Sequence, residues 1–90
     1  MKENVPRDWL RSPVGFGEIE AWLADRARTI GPAGDNIASD WQGLKAQMLP
    51  GDEIWYFSSG PESWRQLAGR EGYALVRDGD VIDSLITGMN

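Results

Sequence analysis

The sequence predicts an α+β fold in which two N-terminal helices pack on a small three-stranded, mainly antiparallel sheet with β-α-β-β order. Two observations support this prediction. Apolar residues recur at helical spacing through residues 18–48, and after residue 52 the pattern changes to short apolar runs separated by turn residues. The 90 residues suit one domain, 1–90, and no change in composition marks a second one.

The first 16 residues predict an extended N-terminal arm. Pro6, Pro13 and Gly15 interrupt any long helix, so at most one helical turn is expected, around Arg7–Arg11. Trp9 lies in this arm, outside any periodic pattern. It is expected either to tie the arm onto the core or to stand exposed as a contact residue.

Two amphipathic helices are predicted to follow the arm. The first, Glu18–Ile30, has large apolar residues at spacings of three and four, and Gly31-Pro32 ends it. The second has its apolar positions at Ile37, Trp41, Leu44 and Met48. Ser39 and Gln42 have the spacing of a capping box near its start. Most of the five tryptophans of the chain are expected to be buried in the core.

The first predicted strand is Glu53–Ser58, which is rich in aromatic residues. Both of its faces are apolar, with Trp55 and Phe57 on one and Ile54 and Tyr56 on the other. This pattern indicates an inner strand, or a strand whose second face contacts something else.

A short helix is predicted next, with Ser59 as its cap and Glu62 reaching back to it. The 14 residues from Ser59 to Gly72 are enough for a helical crossover. We therefore expect the first strand to run parallel to the second and antiparallel to the third, and to pair with the third.

The second and third strands, Gly72–Arg77 and Asp80–Thr87, are joined by Asp78-Gly79, the strongest short hairpin signal. A two-residue type I′ turn places Arg77 opposite Asp80 as an ion pair, and it places Val76 opposite Val81. Leu75 is then expected opposite Ile82, with Asp83 on the face of Val76 and Leu85.

The composition excludes several kinds of chemistry. Without histidine or cysteine, the chain lacks the usual neutral-pH base, the best nucleophile and the main transition-metal ligands, so neither a metal nor a cofactor is expected. Enzymatic activity is therefore not favoured.

The net charge and the hydropathy of the chain limit the kinds of partner and the location that are expected. The net charge is −5, and residues 46–90 hold three Arg against seven Asp and Glu. Such acidity disfavours nucleic acid and anionic membranes and favours a basic protein surface, although it also suits a plain role in solubility. Without a signal peptide or a transmembrane run, the cytoplasm is the expected location.

Each candidate site has a plainer structural interpretation. Asp78, Asp80 and Asp83 lack the ligand order of a calcium loop and are expected to serve the turn and the surface. The adjacent Asp52 and Glu53 are expected to form a solvated strand edge. No catalytic residue is assigned.

Two functions remain. The first is a small acidic protein-interaction module, such as an inhibitor, an immunity-type protein or an accessory subunit, of unknown partner and oligomeric state. Its expected binding residues are Trp9, Tyr56, Asp78, Asp80 and Asp83. The alternative is a small-molecule-binding protein or a carboxylate- and arginine-based enzyme. It would use an aromatic pocket lined by Trp55, Tyr56 or Trp64 near Arg70.

Overall fold

The computed structural model describes residues 5–30 and 35–89 of the chain. These residues form an α+β fold with a four-stranded antiparallel sheet, in the order β1-β2-β3-β4, and three helices. The strands are β1 (Leu10–Val14), β2 (Glu53–Ser58), β3 (Arg70–Arg77) and β4 (Asp80–Met89). The helices are α1 (Phe16–Ile30), α2 (Asp35–Ala46) and α3 (Pro61–Arg65).

The predicted extended arm contains a strand, so the prediction of three strands is wrong by one. A 3-10 turn at Arg7–Trp9 matches the expected helical turn and leads directly into β1. This strand pairs antiparallel with β2, with Leu10 opposite Phe57 and Val14 opposite Ile54. Pro13 is tolerated because β1 is an edge strand, where a missing backbone N–H leaves no ladder bond unmade.

Both N-terminal helices are present, with starts that differ from the predicted ones. Helix α1 begins at Phe16, where the Gly15 N–H donates to the Glu18 carboxylate at 3.1 Å. The predicted stop at Gly31-Pro32 lies outside the described residues. Helix α2 begins at Asp35. Ser39 therefore lies inside the helix, and the predicted capping box at its start is wrong.

The main core lies between these two helices and one face of the sheet, here called the inner face. Its buried members are Ile19, Trp41, Leu44, Ile54, Leu75 and Leu85. Trp41 is buried, whereas Trp9, Trp22, Trp55 and Trp64 are half-buried. The expectation that most tryptophans are buried is therefore wrong, because four of the five lie at the margins of the core.

The connection from β2 to β3 is a tight return, not a crossover. Strand β2 pairs antiparallel with β3, so the expected pairing with the last strand is wrong. Helix α3 has only five residues. Ser59 and Arg70 close the connection, because the Ser59 N–H donates to the Arg70 carbonyl and the Arg70 N–H donates to Ser59 Oγ, both at 2.9 Å. The Ser59 hydroxyl is thereby engaged, and the cap position of α3 falls to Gly60 instead of the predicted Ser59.

The turn between β3 and β4 confirms the predicted hairpin. Asp78 and Gly79 have φ values of 51° and 83°, as a type I′ turn requires. Val76 lies opposite Val81 and Arg77 opposite Asp80, as predicted. The Arg77 guanidinium, however, binds Asp52 instead of Asp80, with Nε–Oδ1 and Nη2–Oδ2 distances of 2.9 and 2.8 Å.

Beyond the turn, the predicted register is wrong. Leu75 lies opposite Asp83 instead of Ile82, because a bulge interrupts the ladder between Leu75 and Val76. Ile82 is the extra residue and is exposed. A shift of one residue moves side chains to the other face. Asp83 and Leu85 therefore lie on the inner face, and Val81 lies on the opposite one.

Candidate functional site

The face of the sheet opposite the helices, here called the outer face, carries the second apolar cluster of the protein. Its buried floor consists of Phe57, Ala74 and Val76 on the strands and Val5 from the N-terminal segment. Partly buried side chains surround this floor, namely Trp9, Leu10, Trp55, Val81 and Ile86. No residue of α1, α2 or α3 belongs to this cluster within the described chain, so residues 5–10 cover this face without help from a helix.

Trp9, one of the predicted binding residues, holds the N-terminal segment on the outer face. Its ring stacks on Phe57, with centroids 6.3 Å apart and planes 21° apart. The segment is also tied at the hairpin, because Arg7 Nε donates to the Gly79 carbonyl at 2.7 Å. Trp9 therefore fulfils the anchoring role considered for it while it remains half-exposed.

The three predicted aspartates do not form one site. Asp78 and Asp80 are exposed at the hairpin tip, beside the Arg7 contact. Asp83 is only 7% exposed and lies on the inner face. There its carboxylate accepts hydrogen bonds from the Gln47 side chain and, at 2.8 Å, from the Ser84 N–H. Asp83 thus connects β4 to the segment after α2. The structure places it away from any contact surface that the tip offers.

Tyr56 lies on the inner face, away from both Trp9 and the hairpin tip. Its hydroxyl donates to Glu71 Oε2 at 2.8 Å, and its ring meets Tyr73 edge-on at 6.3 Å. Burial, followed by the hydrogen bond to Glu71, raises the pKa of Tyr56. Because neighbouring residues of a strand point to opposite faces, Trp55 and Tyr56 cannot line one pocket. Trp64 is on the side of Tyr56, where its indole N–H donates to Ser58 Oγ at 3.3 Å.

Asp52 is part of the scaffold and does not form the solvated edge that was expected. Its side chain is 2% exposed. It accepts two hydrogen bonds from Arg77 and one, at 2.9 Å, from the Leu49 N–H. The hydrogen bonds from Arg77 and then from Leu49 lower the pKa of Asp52. This ion pair fastens the loop after α2 to the end of β3.

Acid should unfold the protein partly through Asp52. A carboxylate whose pKa is lower in the folded than in the unfolded chain stabilises the fold above the unfolded pKa of about 3.9, and this contribution is lost as the pH falls through the folded pKa. Urea unfolding between pH 6 and pH 2.5 should therefore show stability falling below about pH 4. Asp52→Asn should be less stable at pH 6 and should lose less on acidification.

A residual acid dependence is expected in Asp52→Asn. The pKa of Glu20 is also lowered, first by its hydrogen bond from Lys45, and it acts in the same pH window. The control is Asp40→Asn on α2, an exposed aspartate, which should keep the wild-type pH profile. An Asp52→Asn protein with the full wild-type acid dependence would contradict the assignment.

The geometry thus defines a helix-backed antiparallel sheet with one lightly covered face. Within residues 5–30 and 35–89, no group of three or more acidic side chains is arranged to hold a metal ion. None of the helices described is long and apolar enough to cross a membrane. No protein-family model, curated protein or solved structure matches the chain.

Sequence reasoning missed two parts of these surfaces. Val5 is 3% exposed and belongs to the outer-face cluster, although a lone valine before a proline has no periodic signal. Glu71 lies in β3, one residue before the predicted start of that strand at Gly72. The spacing of two residues between Glu71 and Tyr73 could have indicated that both lie on one face of the strand, because residues two apart in a strand share a face.

Proposed function

We propose that the chain is a small acidic protein-interaction module that binds its partner through the outer face. The observation that carries this proposal is the unequal covering of the sheet. Two helices bury the centre of the inner face, whereas the short segment Val5–Leu10 crosses the outer face and leaves Trp55 and Val81 half-exposed beside it.

The outer face has the build of a protein contact. Phe57 and Ala74 are fully buried beneath it, so the base of this face is packed in the folded chain. Trp9 and Trp55 lie half-exposed on this packed base. Aromatic side chains in such positions contribute most of the binding energy of many interfaces. Little ordering entropy would then be lost on binding.

Charge favours a basic partner. Glu53 is exposed on the outer face, Asp78 and Asp80 are exposed at the neighbouring hairpin tip, and Asp8 precedes Trp9. Arg7 lies beside the tip, and Arg77, which binds Asp52, lies opposite Asp80. An acidic rim around an aromatic patch speeds the approach of a basic surface, and it does so less at high salt.

The first test compares two double variants in capture from the native cell extract, followed by kinetics with the captured protein. Trp55→Ser/Val81→Ser removes apolar contact from the outer face. Leu49→Ser/Leu67→Asn removes exposed apolar side chains outside the outer-face cluster and serves as the matched control. We expect the face variant to dissociate at least about tenfold faster than wild type and the control to behave as wild type. A partner that both variants release equally would place the contact elsewhere.

The second test addresses charge. Asp78→Asn/Asp80→Lys should slow association several-fold at low salt, and the difference should shrink at high salt. Asparagine is used at residue 78 because it tolerates the positive φ found there. The control Asp40→Asn/Glu62→Lys changes the net charge equally at helix positions and should associate at the wild-type rate. Equal slowing by both variants would show that only net charge matters.

A further inference from the structure

A second surface, on the inner face, combines aromatic rings with a carboxylate. Here it is called the tyrosine cluster and consists of Trp22, Tyr56, Tyr73 and Glu71. Trp22 meets Tyr73 edge-on at 6.0 Å, and Tyr73 meets Tyr56 edge-on at 6.3 Å. All four residues are half-exposed, so the cluster is open to solvent at the margin of the core.

The carboxylate of Glu71 is held in place but not neutralised. The Tyr56 hydroxyl donates to its Oε2 at 2.8 Å, and its backbone is fixed in β3 opposite Ser58 and Gly88. Among the residues that the structure describes, no Lys or Arg forms an ion pair with it. A half-buried carboxylate beside apolar rings is less well solvated than one in water, so a cation placed there gains more than it would elsewhere.

The surroundings add negative potential at Tyr73. The pKa of Tyr73 is raised, first by burial and then by the negative charges of Glu71 and Glu18. Glu18 in the first turn of α1 therefore acts on the same ring from the helix side. A cation at Tyr73 would experience both carboxylates and the electron-rich faces of the rings.

A guanidinium is already present at one end of the cluster. Arg26 lies over the ring of Trp22, with its Cζ 5.5 Å from the ring centroid, and its Nε has no hydrogen-bond partner among the described residues. The aromatic surface is thus compatible with a flat cation. Arg26 belongs to α1 and pairs with Trp22 instead of Glu71, so it leaves the carboxylate end of the cluster unpaired.

We propose that the tyrosine cluster is a binding site for a guanidinium group, with Glu71 accepting its N–H groups and Tyr56 and Tyr73 contacting its flat face. A guanidinium matches the site better than a quaternary ammonium, because only the former can also donate to the carboxylate. The proposal does not depend on the outer face, which lies on the other side of the sheet.

The test is a titration of the protein followed by two-dimensional NMR, with the Trp22 indole N–H and the Tyr73 amide as reporters. The probes are methylguanidinium, Nα-acetyl-argininamide, the neutral Nα-acetyl-citrullinamide and tetramethylammonium. We expect saturable shifts of both reporters with the two guanidinium probes and no saturable shifts with the citrulline compound. Binding should weaken as salt is raised. Equal shifts with the citrulline compound, tighter binding of tetramethylammonium, or no saturation by any guanidinium would overturn the proposal.

The two guanidinium probes separate the sources of the ligand. Tighter binding of acetyl-argininamide indicates an arginine side chain of a protein, whereas equal binding indicates a free guanidinium compound. Glu71→Gln should weaken binding at least about tenfold. The control Glu62→Gln removes an exposed carboxylate on α3 and should bind as wild type. Unchanged binding in a folded Glu71→Gln protein would contradict the proposal. If Glu71→Gln does not fold, the comparison of probes and the salt dependence of binding still test the proposed site on the wild-type chain.

Discussion

Replacing Trp41 by alanine should lower the free energy of unfolding by about 3–5 kcal/mol, a large part of the roughly 5–15 kcal/mol that holds a domain together. Trp41 is 1% exposed and packs with Ile19 and Leu44 in the main core. Phe16 contacts its ring edge-on at 5.3 Å. Its indole N–H donates to Glu20 at 3.3 Å, so the substitution also takes a donor from a carboxylate that Lys45 holds at 2.8 Å.

Urea unfolding followed by far-ultraviolet circular dichroism measures this effect without using the tryptophans as reporters. Trp55→Ala is the matched control, because it removes the same side chain from a half-buried position on the outer face. It should cost less than Trp41→Ala, since less of its surface leaves water on folding. Similar losses at the two positions would mean that the outer face bears as much of the stability as the helix-backed core.

The elements that the sequence predicts correctly are those for which several neighbouring residues indicate the same local structure. Helix α1 has apolar residues at a helical period, and the hairpin has Asp78-Gly79, a pair that readily adopts the positive φ values of a type I′ turn. Strand β2 is apolar on both faces, and the structure places it between β1 and β3.

The parts that were missed depend on pairing between distant segments. Strand β1 contains Arg11, Ser12 and Pro13, and it is a strand because β2 offers an open edge to it. The order of β2 beside β3 follows from a return that the Ser59–Arg70 hydrogen bonds close. Neither contact leaves a periodic trace in the sequence.

The predicted binding residues do not all lie together, because one bulge moves a predicted residue to the other face of the sheet. Asp83 was expected near the tip and lies against Gln47, since Ile82 is inserted between the paired residues. Trp9 lies at the outer face, and Asp78 and Asp80 are exposed at the hairpin tip. A bulge in an antiparallel pair depends on packing across the sheet, which single-sequence patterns do not report.

Replacing Gly72 by alanine should destabilise the protein by about 1–3 kcal/mol or more, and this is the most direct test of the second irregularity in β4. Between Glu71 and Gly72 the ladder shifts again, so that Gly72 lies opposite Ile86. A Cβ at Gly72 would lie 1.9 Å from the carbonyl oxygen of Leu85. The obstacle is backbone, so no side-chain rotation relieves it and the two strands must separate locally.

The matched control is the same substitution at Gly43, which should have the opposite sign. Gly43 lies within α2, and a Cβ there meets nothing within 4 Å. Alanine in a helix is favoured over glycine by roughly 0.5–1 kcal/mol, which for a domain of this size raises the melting temperature by several degrees. Thermal unfolding of the two variants should therefore move in opposite directions from wild type. If Gly72→Ala melted at or above the wild-type temperature, β3 and β4 could not approach as closely as this register requires, and the faces assigned to Leu85 and Ile86 would have to be exchanged.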